Sequence, residues 1–261
     1  MSAPDPASAN LAQIERLNQR GGETLSTADL VAAGTLDPAL AAWLLAAVSS
    51  GASILTAARP GGAGKSTLLA NLLAFLPPDE PIETVAGSRD VTEAFSRRLG
   101  ADSALPACRL AHEIGSGHFY GYIWGRDAAQ FLAIPRKTGA RIASCLHADT
   151  LSELRDILLS PPIGAAPEDV DQVGVVLFMH VDRANRGWRH RVATVWEAVG
   201  DGHRIVWEWQ RKDDSYAQVG ETAVSRERLS WAGEVIESFL GSGETGFGEM
   251  LRHIRAAAGR L

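Results

Sequence analysis

The chain has 261 residues, 46% hydrophobic and 21% charged, an ordinary globular composition with length for one good core and a small helical appendage. A formal net charge of −6 provides no overall basic field, so neither nucleic acid nor an anionic lipid surface is expected as a partner. The two cysteines, Cys108 and Cys145, stand in no metal-ligand or redox spacing and suit a reducing cytoplasm.

Met1 to Asn10 has no basic n-region and no apolar h-region, so no signal peptide is expected, and residues 1–10 read as a disordered tail. The longest apolar stretch, Ala39 to Val48, is too short to cross a bilayer, so no direct membrane insertion is expected. Leu11, Ile14 and Leu17 predict a short helix stopped by Gly21-Gly22, and further short helical turns follow between Thr24 and Leu36. Asp37 then caps a better helix, with Pro38 at its first position and Leu40, Trp43, Leu44, Ala47 and Val48 on one face; Gly51 stops it. Ser53 to Ala58 is short, apolar and partly β-branched, as a buried parallel strand should be. A glycine-rich segment leads into a helix from Lys65 to Phe75.

A second strand is predicted over Ile82 to Val85, a helix around Val91, Phe95 and Leu99, and a strand over Cys108 to Ala111. Phe119 to Trp124 reads as an aromatic strand, and Asp127 to Ile134 as an amphipathic helix that Pro135 ends. Arg141 to Leu146 is another strand, and Thr150 with Glu153 forms a capping box for the next helix. The texture then changes. Val173 to Val181, Trp188 to Val199 and Arg204 to Gln210 are strand-like, with turns at Ala184 to Gly187 and Gly200 to Gly202, which predicts an antiparallel meander. Trp188, Trp196, Trp207 and Trp209 are expected to form cross-strand pairs and core, and Arg183, Arg186, Arg189 and Arg191 a solvated face. The last forty residues return to helix. The alternation points to an α/β fold with a mainly parallel sheet flanked by helices.

The sharpest motif is Arg59-Pro-Gly-Gly-Ala-Gly-Lys-Ser-Thr67. A phosphate is bound by backbone N–H groups that converge on it, and glycines let the chain approach closely enough. Gly61, Gly62, Ala63, Gly64, Lys65, Ser66 and Thr67 are therefore the nucleotide-binding candidates, with the Lys65 ammonium for the β- and γ-phosphates and the Ser66 hydroxyl for Mg²⁺. The full pattern asks for glycine where Arg59 stands, and Pro60 removes an N–H, so the start of the loop must differ from the usual form. His112, Glu113 and His118 match no strong metal pattern.

With the loop placed, its flanks gain meaning. Thr24 to Leu36, Ala42 to Val48 and Ser53 to Leu55 resemble the approach to the loop in type II/type IV secretion ATPases, nearest to the CpaF-like branch of Tad pilus assembly. Gly125-Arg126-Asp127-Ala128 is similar to the segment after that family's Walker B acid. Thr138-Gly139 with Ile142 to Asp149 is similar to its histidine box, and the meander to its last strands. The resemblance covers residues 24–210 discontinuously. It implies a RecA-like P-loop NTPase core, ATP with Mg²⁺, a homo- or hetero-hexameric ring, and a membrane-embedded pilus or secretion platform as partner. It also implies that His147 senses the γ-phosphate; taken alone, a histidine at a strand end is as readily a core or capping residue. On this reading residues 1–23 are a flexible tail and short helix, 24–210 the RecA-like domain, and 211–261 a helical C-terminal extension.

The departures concern catalysis. In the best register Ala86 and Gly87 stand where the family has acids, and the Walker B glutamate position falls on Tyr122. The segment between Cys108 and Phe119 is shorter than the family's and lacks an arginine-bearing helix, and most of the family's N-terminal domain has no counterpart. Hydrolysis needs a carboxylate to orient water and another to hold Mg²⁺ through water. Glu83, Glu113 or Asp127 would have to fill those roles; Glu83, Glu113 and His147 are the catalytic candidates. Three readings follow: an ATPase with weakened hydrolysis, a non-hydrolysing scaffold or regulatory paralogue, and another P-loop enzyme such as a small-molecule kinase.

Overall fold

Helix α1 (Pro6–Arg16) begins inside the stretch read as a tail. Asn10 gives the reason: its side chain donates to the Glu80 carbonyl and accepts from the Ile82 N–H, both at 2.8 Å, which pins the helix to the sheet edge. The computed structural model describes residues 6–17, 24–96, 107–184 and 187–259. The expected helix stop at Gly21-Gly22, the helical position of Leu99 and the turn residues Asn185 and Arg186 lie outside those ranges. After α2 (Thr27–Ala32), capped reciprocally by Ser26 and Asp29, helix α3 (Pro38–Ser49) starts as the sequence dictates. The Asp37 carboxylate accepts the Leu40 N–H at 2.8 Å and Pro38 fills the first turn. It does not have one apolar face. Leu40 to Val48 are all buried, because the sheet covers one side and a C-terminal helix the other.

Gly51, at φ +111°, turns the chain into β1 (Ile54–Ala57), buried at every position. The glycine loop and α4 (Lys65–Leu73) follow, then β2 (Ile82–Thr84), α5 (Ser88–Ser96) and β3 (Cys108–Leu110). The aromatic run contributes only β5 (Tyr122–Ile123), paired with β4 (Glu113–Ile114), and leaves Phe119 and Tyr120 exposed. Pro135 does not end the structure after α6 (Arg126–Leu132). It sits in the first turn of α7 (Ile134–Thr138), where its missing N–H is harmless. Strand β6 (Ile142–Leu146), α8 (Leu151–Leu159) and α9 (Pro167–Asp171) lead to the meander β7 (Val175–Ala184), β8 (Gly187–Ala198) and β9 (His203–Gln210). A further strand, β10 (Ser215–Gln218), lies in the stretch expected to be helical, before α10 (Arg226–Gly241) and α11 (Phe247–Ala258).

The strands form one sheet in the order β10-β9-β8-β7-β1-β6-β3-β2. Pairing is parallel from β2 through β7 and antiparallel from β7 through β10, so an α/β sheet with a meander is what the chain forms. Alternation along β7 divides the core. Val175 and Leu177 face one layer with Trp43, Leu69 and Phe239, while Val176 and Phe178 face the other with Phe131, Leu132 and Leu154. Helices α3, α4, α10 and α11 cover the first face and α6 and α8 the second. Trp207 and Trp209 are buried as expected. Trp188 is not: it lies near the β7–β8 hairpin tip, beyond the last helix-covered row, and is 69% exposed. Nor is Arg191 part of a solvated face, since it is buried on the Asp214 carboxylate and the Ala33 carbonyl. No described helix is long and apolar enough to cross a membrane.

Gly220 marks where the chain leaves β10. A Cβ there would lie 2.1 Å from the Ile205 carbonyl oxygen, and backbone cannot yield as a flexible side chain can. Gly220→Ala should therefore lose about 1–3 kcal/mol in urea denaturation, the usual cost of forced overpacking, with an unchanged m-value.

Candidate functional site

A parallel sheet gathers the carboxyl ends of its strands along one edge, and β1 and β6 deliver their following loops there side by side. From β1 comes the glycine loop. Gly62 and Gly64 take φ +74° and +94°, which L side chains rarely adopt, and Gly64 is the left-handed residue from which α4 starts. Gly61 and Gly62 are exposed, and a Cβ at either would meet nothing within 4 Å. Lys65 is 6% exposed and its Nζ bends back over the loop, donating to the Ala58 carbonyl at 3.1 Å and the Pro60 carbonyl at 3.4 Å. Ser66 stands one residue on, half-buried, with Thr67 beside it.

Arg59, where the motif expects glycine, ties the start of the loop to β6 and α8. Its N–H donates to the Asp149 carboxylate at 2.7 Å, its guanidinium pairs with Glu153, and its carbonyl lies 2.7 Å from His147 Nδ1. Glu153 holds both this arginine and the Asp149 N–H, at 2.9 Å. The predicted capping box is thus only half formed: the Thr150 hydroxyl accepts the Glu153 N–H, while the Glu153 carboxylate reaches one residue further back. That N–H, and after it Arg59, hold the Glu153 carboxyl below the usual carboxylate range.

His147 faces two ways. A ring nitrogen meets a carbonyl oxygen only as a donor, so Nδ1 carries the proton given to Arg59, and the Lys65 Nζ at 3.5 Å is a packing neighbour of that nitrogen. Nε2 lies 3.3 Å from Glu113 Oε1, and the other oxygen of Glu113 accepts from the Tyr122 hydroxyl at 2.9 Å. Tyr122, Glu113, His147 and the Arg59 carbonyl thus form a continuous polar chain ending at the loop.

Glu113 reaches this position through a register slip. Leu110 pairs with Ala143, so an unbroken strand would set Glu113 opposite Leu146, but Ile114 occupies that place. The extra residue inverts the alternation, burying Ile114 in the core and turning Glu113 towards His147. Glu113 also stands directly across the β4–β5 ladder from Tyr122, the residue on which the best register placed the Walker B glutamate.

The remaining candidates are not brought together. Glu83 lies on the edge strand β2, in register with Arg109 and Ile142 at the opposite end of the sheet, and forms an ion pair with Arg109. Asp127 accepts from the Ser88 hydroxyl in an exposed pair. At Ala86, where the sequence resemblance leads one to expect an acid, the N–H donates to the Asp90 carboxylate at 2.9 Å. Beneath the loop the Cys145 thiol lies 3.2 Å from Thr56 Oγ1 and 3.9 Å from Ser66 Oγ. Burial pushes it up to about 11, so it is a packed group and not a nucleophile. Among the described residues no group of three or more His, Cys, Asp or Glu side chains stands together to hold a metal ion. A divalent ion at Ser66 would share its shell with phosphate oxygens and water, which is how hard cations are held beside nucleotides.

No protein-family model and no curated protein matches the chain. Among solved structures it is similar to the VirB11 ATPase of the Brucella suis type IV secretion system, solved in complex with sulphate, with 18% identity and a TM-score of 0.43. The similarity covers 71% of this chain and 55% of that one, so the chain spans just over half the length of that protein.

Next to the acid, His112 is 6% exposed beneath Gly121, whose φ of +75° lets the loop fold onto the ring. Burial, and then the charge of Arg16, lower its pKa to about 4. A histidine depressed in the folded state contributes stability that is full above its unfolded value near 6.5 and is lost as pH falls towards 4. Wild-type protein should therefore lose up to about 3 kcal/mol more than His112→Asn between pH 7 and pH 4, measured by denaturant titration at each pH. Equal losses in both proteins would contradict this assignment.

Proposed function

We propose that the chain binds ATP with Mg²⁺ at the loop Gly61 to Thr67, as a RecA-like member of the secretion and pilus-assembly ATPases related to the CpaF-like branch. One observation carries the reading: a glycine loop with a buried lysine links the central strand β1 to α4, and the neighbouring strand β6 leads into His147, which Glu113 of β4 meets beside the loop. The open space at Gly61 and Gly62 and the half-buried Ser66 hydroxyl suit a triphosphate and its metal. Bound Mg²⁺ would supply charge neutralisation across the β- and γ-phosphates.

The chain's own groups take the other roles. Lys65 leaves the Ala58 and Pro60 carbonyls for the phosphates, the glycine amides cradle the β-phosphate, and Ser66 offers its hydroxyl to the metal. Glu113, held between Tyr122 and His147, is the acid that orients water. His147 links that acid to the loop and so reports whether the γ-phosphate is present. Turnover is slow on this reading, because Ala86 and Gly87 replace the family's acids after β2 and Glu83 is too remote to substitute. The resemblance extends the proposal to a cytoplasmic homo- or hetero-hexamer acting on a membrane-embedded pilus or secretion platform. The same lost acids favour a second reading, a nucleotide-holding subunit that does not hydrolyse.

Fluorescent ATP binding and phosphate release separate these readings. Wild type should bind in a Mg²⁺-dependent way, Lys65→Ala should weaken binding at least about tenfold, and Glu113→Gln should keep binding while losing turnover. Binding without turnover in wild type selects the non-hydrolysing subunit. No binding by wild type removes the proposal.

A further inference from the structure

The histidine box accounts for one flank of the loop. The other flank is formed by the β7–β8 hairpin. Strand β1 ends where Ala57 pairs with Phe178, but β7 runs on to Ala184 with β8 alongside, so the hairpin extends about 20 Å beyond the sheet end. Val181 pairs with His190 and Met179 with Val192, which sets His190 on the face where Met179 and Val192 join the core under α4. There it meets the glycine loop. His190 Nδ1 lies 3.1 Å from the Ala63 carbonyl, and a Cβ at Gly64 would stand 3.3 Å from Met179 Cε and 3.6 Å from His190 Nδ1.

A trans peptide points its carbonyl and its N–H in opposite directions. Holding the Ala63 carbonyl outward therefore aims the Gly64 N–H inward, to the side where a phosphate would sit. We propose that His190 is a positioning residue of the phosphate loop, with its Nδ1–H anchoring the Ala63–Gly64 peptide so that the Gly64 amide faces the bound phosphate. This rests on the reading that residues 61–67 bind phosphate. The loop is then clamped from both sides, by His147 at the Arg59 carbonyl and by His190 at the Ala63 carbonyl. The movable Lys65 ammonium holds the Pro60 carbonyl in between until phosphate takes it. Gly64 is needed twice over, for its left-handed φ and for the close approach of the hairpin.

The test titrates fluorescent ATP, and inorganic pyrophosphate as its competitor, into wild type, His190→Ala and His190→Asn, with thermal midpoints recorded for all three. An asparagine amide N–H stands at nearly the same reach as imidazole Nδ1–H, so the anchor survives in that variant. The Ala variant should bind both ligands about five- to tenfold more weakly and the Asn variant within about twofold of wild type, while the two variants melt alike. Wild type that binds neither ligand overturns the phosphate-loop reading itself. Wild type that binds while His190→Ala binds equally well overturns only the role of His190. An Asn variant as weak as the Ala variant overturns the donor role.

Discussion

The seating of β1 in parallel register between β6 and β7 is the constraint on which the site depends. A four-residue strand hydrogen-bonded on both edges and buried on both faces has no freedom to shift. It fixes where Ala58 emerges, and the glycine loop inherits that position. Because β6 is one neighbour, His147 arrives level with Arg59; because β7 is the other, the hairpin carrying His190 stands against Ala63. Two of the loop's carbonyls, those of Arg59 and Ala63, are thus held by groups from two independent elements. Preorganisation of this kind means that a bound anion does not have to order the loop itself.

The same constraint makes sense of Arg59. Where a glycine would leave the start of the loop loose, this residue fastens it to Asp149 and Glu153, and the following Pro60 stiffens it. The loop gains definition and loses one amide that a phosphate could use.

Much of this was legible in the sequence because the signals were local. Asp37-Pro38 dictates the start of α3, the apolar run 53–58 dictates β1, and the spacing of glycines with Lys65 dictates the loop. The antiparallel meander could be read from its period and turns. What escaped was set by long-range geometry. The all-round burial of α3 depends on a helix nearly two hundred residues later. The placement of Glu113 depends on one extra residue between β3 and β4, invisible to any motif, and the alignment chose its cross-strand neighbour Tyr122 instead. Glu83 looked suitable by sequence distance, yet parallel strand order carries it to the far edge of the sheet. His190 had no sequence signal beyond its alternation in a strand; only the overhang of the hairpin gives it a target.

The central claim is that the amides of residues 61–67 receive the phosphate chain. Backbone hydrogen–deuterium exchange with and without Mg²⁺·ATP reads those amides directly. Exchange should slow across Gly61 to Thr67 on adding nucleotide, with the slowing extending to His147 and Glu113 and absent from α10 and α11. Nucleotide that leaves exchange across 61–67 unchanged, or protects only segments away from the carboxyl ends of β1 and β6, would contradict it.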